Sequence, residues 1–166
     1  IYTQRPGVNP QKVRIDLIRD DQEQISDLNS SKGATSATVS PDGKQIALTL
    51  RGEVFVTSAD YNTTKQITHT PAAETCFSPD NRTLAYASER GGNWQLYLAK
   101  IARKEEANFP NATIIEEEVL LPSKTVERNY PQFSPDAKEL AFIEDRMRLM
   151  VVNLETKKVR QVTDGS

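Results

Sequence analysis

One nine-residue string returns three times and limits what the chain can fold into. SPDGKQIAL begins at Ser40, SPDNRTLAY at Ser78 and SPDAKELAF at Ser134. The serines lie 38 and 56 residues apart, so the second interval carries 18 extra residues. Around each serine the agreement is positional. Val39, Phe77 and Phe133 precede it; Ile46, Leu84 and Leu140 stand six residues after it; Ala47, Ala85 and Ala141 stand seven after; Leu48, Tyr86 and Phe142 stand eight after. A repeat near 40 residues marks an array of equivalent units.

The string reads as a turn between two strands. Serine suits the first corner of a type I β-turn, and proline at the second has its φ already set. Aspartate bonds back to nearby amides, and glycine relieves strain at the fourth corner. Pro41, Asp42 and Gly43 fit this reading. Asn81 replaces the glycine tolerably, whereas Ala137 predicts a somewhat different turn in the third copy.

Further strands follow each turn. Glu53–Ser58 (EVFVTS), Trp94–Lys100 (WQLYLAK) and Arg148–Asn153 (RLMVVN) are rich in β-branched and aromatic residues. The short links Arg51–Gly52 and Glu89–Asn93 read as hairpin turns. A fourth strand is expected at Lys65–Thr68, at Glu118–Leu121 and at Arg160–Thr163. Each unit is therefore four antiparallel strands in sequence, and no segment has a convincing helical period. Residues 101–118 have room for a short helix, which Pro110 keeps from growing long.

The fold class is all-β. A four-stranded unit of this length is a β-propeller blade; a sandwich or an up-and-down barrel fits the regular turn spacing less well. The expected organisation is a half blade at 1–32, then blades at 33–71, 72–126 with an insertion at 103–118, and 127–166. In the half blade, IYT corresponds to a third strand and Lys12–Ile18 to a fourth. Blades stack face to face, so both faces of each sheet are buried, and the repeated alanine lets neighbours approach closely. Three and a half blades make an incomplete propeller, because about four to eight close a ring. The opening IYTQRPG is neither a signal peptide nor an ordinary start. The expectation is a piece of a longer chain, whose remaining blades, or a second copy joined through open blade edges, complete the ring.

Composition narrows the partners. Apolar residues make up 37% and charged residues 27%, with 21 basic and 23 acidic residues and a net charge of −2. Such a balance offers no field for nucleic acid. No apolar run approaches the ~18 residues that would read as a membrane-spanning helix.

The residues able to do chemistry are few. A Ser-His-Asp arrangement needs a histidine base, and His69, beside Pro71, is the single histidine. A polar loop residue is the plainer reading. One histidine and one cysteine, Cys76, exclude a Cys/His zinc set. Cys76 falls in a predicted first strand, where a small buried hydrophobe is expected. The acidic stretch Arg19–Asp27 lacks the spacing and glycine of a calcium loop and reads as a solvated connector. Asn62, Asn81 and Asn111 each open an Asn-x-Ser/Thr pattern short enough to arise by chance. Trp94 is expected between blades, with a rim contact to a peptide as the alternative. No cofactor or metal is expected. The candidate interaction loop is the insertion, through Arg103, Lys104, Glu105, Glu106 and Phe109; an inert solvated extension is the plain alternative.

These residues resemble a known family. SPDGKQIAL, FSPDNRTLAYASERGGNWQLYLAKI and FSPDAKELAF are similar to the propeller repeats shared by TolB and the tricorn-type peptidases. Arg51–Pro71, Leu98–Phe109 and Phe142–Val162 most resemble the amino-terminal propeller of bacterial tricorn protease homologues. The resemblance implies a non-catalytic segment of a serine peptidase that admits, filters or guides peptides, or supports assembly. Its partners are then the rest of the parent propeller, a peptidase domain, and peptides or proteins. No position matches that family's catalytic motifs. The alternative implied is a TolB-like propeller that binds a protein in the cell envelope, and the compartment implied is periplasmic or secreted. An autonomous hydrolase using His69 is the remote third reading.

Overall fold

The computed structural model describes residues 2–3, 11–12 and 33–163. The SPD turns organise everything else in it. Each turn joins a first strand to a second: β3 (Ala34–Val39) to β4 (Gln45–Leu50), β7 (Ala72–Phe77) to β8 (Thr83–Arg90), and β11 (Arg128–Phe133) to β12 (Glu139–Glu144). A third and a fourth strand complete each unit: β5 (Glu53–Ser58) and β6 (Thr64–Gln66), β9 (Asn93–Ile101) and β10 (Ile115–Val119), β13 (Arg148–Asn153) and β14 (Val159–Gln161). The three sheets have the orders β3-β4-β5-β6, β7-β8-β9-β10 and β11-β12-β13-β14, all antiparallel. The chain is thus all-β, with three consecutive blades of a partial propeller. Ahead of them β1 (Tyr2–Thr3) pairs antiparallel with β2 (Gln11–Lys12). The expected fourth strand of the half blade, apart from Lys12, lies outside the described residues, as does the acidic stretch 19–27.

The turn is built the same way three times, which corrects the expectation for Ala137. Gly43, Asn81 and Ala137 donate their N–H groups to the carbonyls of Ser40, Ser78 and Ser134 at 2.8, 2.9 and 2.9 Å. Ser40 Oγ donates to Asp42 Oδ1 at 2.6 Å and accepts from Gln45 N at 2.9 Å, while Lys44 N donates to Asp42 Oδ1 at 3.1 Å. The Ser78–Asp80 and Ser134–Asp136 pairs repeat this arrangement. The fourth corner is left-handed each time, with φ of 72° at Gly43, 62° at Asn81 and 58° at Ala137. The serine–aspartate bonds fix the turn, and Ala137 accepts a conformation costing it roughly 1–2 kcal/mol.

Two packed seams hold the blades together. In the first, Ala47, Val54 and Val56 of blade 1 meet Phe77, Leu84, Tyr86 and Ala99 of blade 2. In the second, Ala85, Ala87, Leu96 and Leu98 of blade 2 meet Leu140, Phe142, Met150 and Val152 of blade 3. Ala47 and Ala85 are fully buried, so the repeated alanine does sit where one sheet approaches the next. Its third copy, Ala141, lies on the far face of blade 3 and is half-buried. Each first strand also carries one extra residue opposite its partner, a β-bulge. Two bulge residues, Glu74 and Tyr130, have φ of 59°, and Glu74 Oε2 accepts Tyr130 N at 2.7 Å across the second seam. Across the first, Thr38 Oγ1 donates to the Thr75 carbonyl at 2.9 Å.

Candidate functional site

The antiparallel order places the SPD turns and the links after the third strands on one face, and the links after the second and fourth strands on the other. The insertion therefore rises beside the turns. It is shorter than the expected 103–118: β10 begins at Ile115, so Glu116, Glu117 and Glu118 belong to an outer strand. Two of these carboxylates are partnered there, Glu118 with Lys100 at 2.8 Å and Glu117 with Arg90.

What remains of the insertion folds back onto blade 1. A single 3₁₀ turn spans Phe109–Asn111, with Pro110 early in it, where its missing N–H is harmless. Asn108 Oδ1 accepts from Asn111 N at 3.3 Å. Phe109 is wholly buried in the first seam, its ring centroid 6.1 Å from that of Phe77. Its N–H donates to Gln45 Oε1 at 2.8 Å, and Lys65 Nζ donates to the Ala112 carbonyl at 2.6 Å. From the turn side, the Arg82 guanidinium donates to the carbonyls of Arg103 at 2.6 Å and of Glu106.

The five residues of the expected interaction loop are thus divided. Arg103, Lys104 and Glu105 are exposed on the turn face. Glu106 is half-buried and accepts from Thr113 Oγ1 at 2.6 Å, which holds its carboxyl below the usual range. Phe109 points inward and locks two blades together. Sequence reasoning missed this because the ring sits in a run of charges; the signals available were the Asn108 cap, Pro110 and the Phe109–Ala112 apolar pair.

The other singled-out residues fall apart in space. His69 is exposed in the link between β6 and β7, in a groove of about 320 Å³ shared with Lys65, Arg90 and Glu117. Burial pushes the Glu117 carboxyl above its usual range, while Arg90 lies 4.1 Å over the Tyr97 ring and donates to Thr70 Oγ1 at 2.9 Å. Cys76 is buried and its thiol is pushed up by desolvation. Trp94 is half-buried against the second seam. Asn81 joins the turns of two blades, accepting Asp42 N at 3.1 Å through Oδ1. Among the described residues no group of three or more His, Cys, Asp or Glu side chains is placed to hold a metal ion. No helix there is long and apolar enough to cross a membrane.

Three stacked meanders with one loop-rich polar face define an open segment of a β-propeller. The chain belongs to the TolB beta propeller domain family, whose profile matches residues 8–166. A Tol-Pal system protein TolB of Francisella tularensis subsp. mediasiatica is 29% identical over 101 residues, which is 58% of this chain and 20% of that protein. Among solved structures, the TolB of Acinetobacter baumannii superposes with a TM-score of 0.63 at 20% identity, covering 80% of this chain and 33% of that one. A structure described as TolB from Agrobacterium tumefaciens gives 0.63 at 21%, covering 79% and 48%. At that identity the structural likeness establishes the fold. The chain spans about a fifth of the length of the curated relatives it matches. These relatives support the TolB side of the sequence resemblance over the tricorn side.

Proposed function

We propose that the chain is a non-catalytic part of a TolB-like propeller that binds protein partners in the bacterial cell envelope, on the periplasmic side. The observation that carries this reading is the family match across nearly the whole chain, with relatives belonging to a Tol-Pal system. The geometry supports it. The turn face is held by three identical serine–aspartate networks and by Arg82, so its polar groups are presented on a stiff support. Preorganised surfaces lose less ordering entropy on association.

The test uses the parent polypeptide. Expressed with the Tol and Pal components of its own organism, it should copurify with at least one of them, and should cleave no peptide substrate. The tricorn-like alternative, a propeller that guides peptides to a serine peptidase domain, predicts the reverse: a peptidase domain beyond Ser166 and peptide turnover stopped by a serine-directed inhibitor. That result would overturn the envelope reading.

A further inference from the structure

The second seam repeats the first with one part left out. Strand register makes Gln45 equivalent to Thr83, and Val56 equivalent to Leu98. The repeat makes Phe77 equivalent to Phe133, and Asn81 to Ala137. In the first seam the insertion delivers the Phe109 ring beside Phe77 and its N–H to Gln45. In the second, Thr83, Leu98, Phe133 and Ala137 line an open cavity of about 210 Å³. The corresponding link of blade 3, between β13 and β14, is the short 154–158 and brings no ring to the site. An apolar cavity of ~150 Å³ already holds a benzene molecule.

The chemistry of the rim narrows the occupant. Lys100 and Lys157 stand at its edge and share one carboxylate, Glu118, at 2.8 and 3.6 Å. Asp80 also lies there, its Oδ1 accepting from Ser78 and from Arg82 N, so two carboxylates balance two lysines. Lys100 holds Glu118 the more closely, which leaves the exposed Lys157 the cation best placed to meet an incoming acid, and Thr83 stands at the position from which Gln45 accepts a backbone N–H in the first seam.

We propose that this cavity receives an aromatic side chain of a partner polypeptide, carried in a tight turn with an acidic residue beside it, as a docked equivalent of the chain's own Phe109 plug. The proposal rests on the reading of the chain as a protein-binding propeller and adds the chemistry of one contact. The apolar floor supplies affinity, and Lys157 selects the flanking acid.

The probe is a synthetic peptide of residues 103–114, capped at both ends, which carries Glu105, Glu106 and the aromatic in their natural order. It is titrated into the purified 166-residue chain with methyl-labelled leucines. Saturable shifts should concentrate at Leu98 and Leu154. Replacing the peptide's phenylalanine by alanine should weaken binding at least tenfold, and Ala137→Trp in the chain should abolish it. Lys157→Glu, at an exposed position, tests the rim without touching the core. It should weaken the acidic peptide severalfold and favour one with lysines at the two glutamate positions. No binding at millimolar peptide overturns the proposal. So does equal binding of the phenylalanine and alanine peptides, or binding unchanged by both variants. Failure here would leave capture of Tol or Pal components by the parent polypeptide unaffected, so the two readings can be judged separately.

Discussion

The two seams come from one repeat and differ in what fills them. In the first, an insertion of the chain supplies a buried aromatic, a backbone hydrogen bond to Gln45 and a lysine clasp on the Ala112 carbonyl. In the second, equivalent strands meet with the same alanine and leucine contacts, but a cavity stands at the place of the ring. The repeat thus sets where sheets lie relative to each other, and the loops decide how completely each gap is filled. Packing density, not topology, distinguishes the seams, and only packed volume brings the dispersion contacts that stabilise a core.

The sharpest way to break this comparison is Phe109→Ala. Removing a fully buried ring should destabilise the chain by about 3–5 kcal/mol, read as a lower urea midpoint. Phe133→Ala, at the edge of the open cavity, should cost less than about half of that. Equal losses would mean that the seams are energetically alike. Next comes Ser78→Ala. Ser78 is buried, and losing its hydroxyl leaves the Thr83 amide without its acceptor and removes one of the two donors to Asp80, at a cost of about 1–3 kcal/mol. The same change at the half-buried Ser134 should cost less, because water replaces the lost bonds. A smaller effect of opposite sign is expected for Ala137→Gly. It relieves the left-handed alanine and should stabilise by about 0.5–1 kcal/mol once the entropy of glycine is counted, visible as a small rise in Tm.

The smallest effect concerns acid. Hydrogen bonds from Ser40 and Ser134 are the main cause holding Asp42 and Asp136 below the usual carboxyl range. Because folding lowers these values, the stabilisation is complete above the unfolded value near 4 and is lost as pH falls through the lowered one. The urea midpoint should therefore drop between about pH 5 and about pH 3, less steeply in Ser40→Ala.

The blades were legible in the sequence because turn chemistry and strand period point to the same answer at three places. The strands Glu53–Ser58 and Arg148–Asn153 coincide with β5 and β13. What was hidden has physical reasons. Glu116, Glu117 and Glu118 concealed the start of β10, since an outermost strand is exposed and charges protect such an edge. Ala137 concealed an unchanged turn, because side-chain bonds two residues away impose its φ. Phe109 concealed its role because burial there depends on blade 1, more than 40 positions earlier in the chain. The cavity between blades 2 and 3 had no signal at all in the letters; it exists only by contrast with a filled neighbour.

Cys76 gives this architecture an internal clock. Its Sγ rests 3.6 Å from Gln132 Oε1, across the junction of blades 2 and 3, and burial suppresses its thiolate. Cys76 is only 9% exposed, so parting of those sheets should speed its reaction with a thiol reagent. The modification rate under native conditions should therefore rise with how often they separate, and a peptide lodged in the gap should slow it.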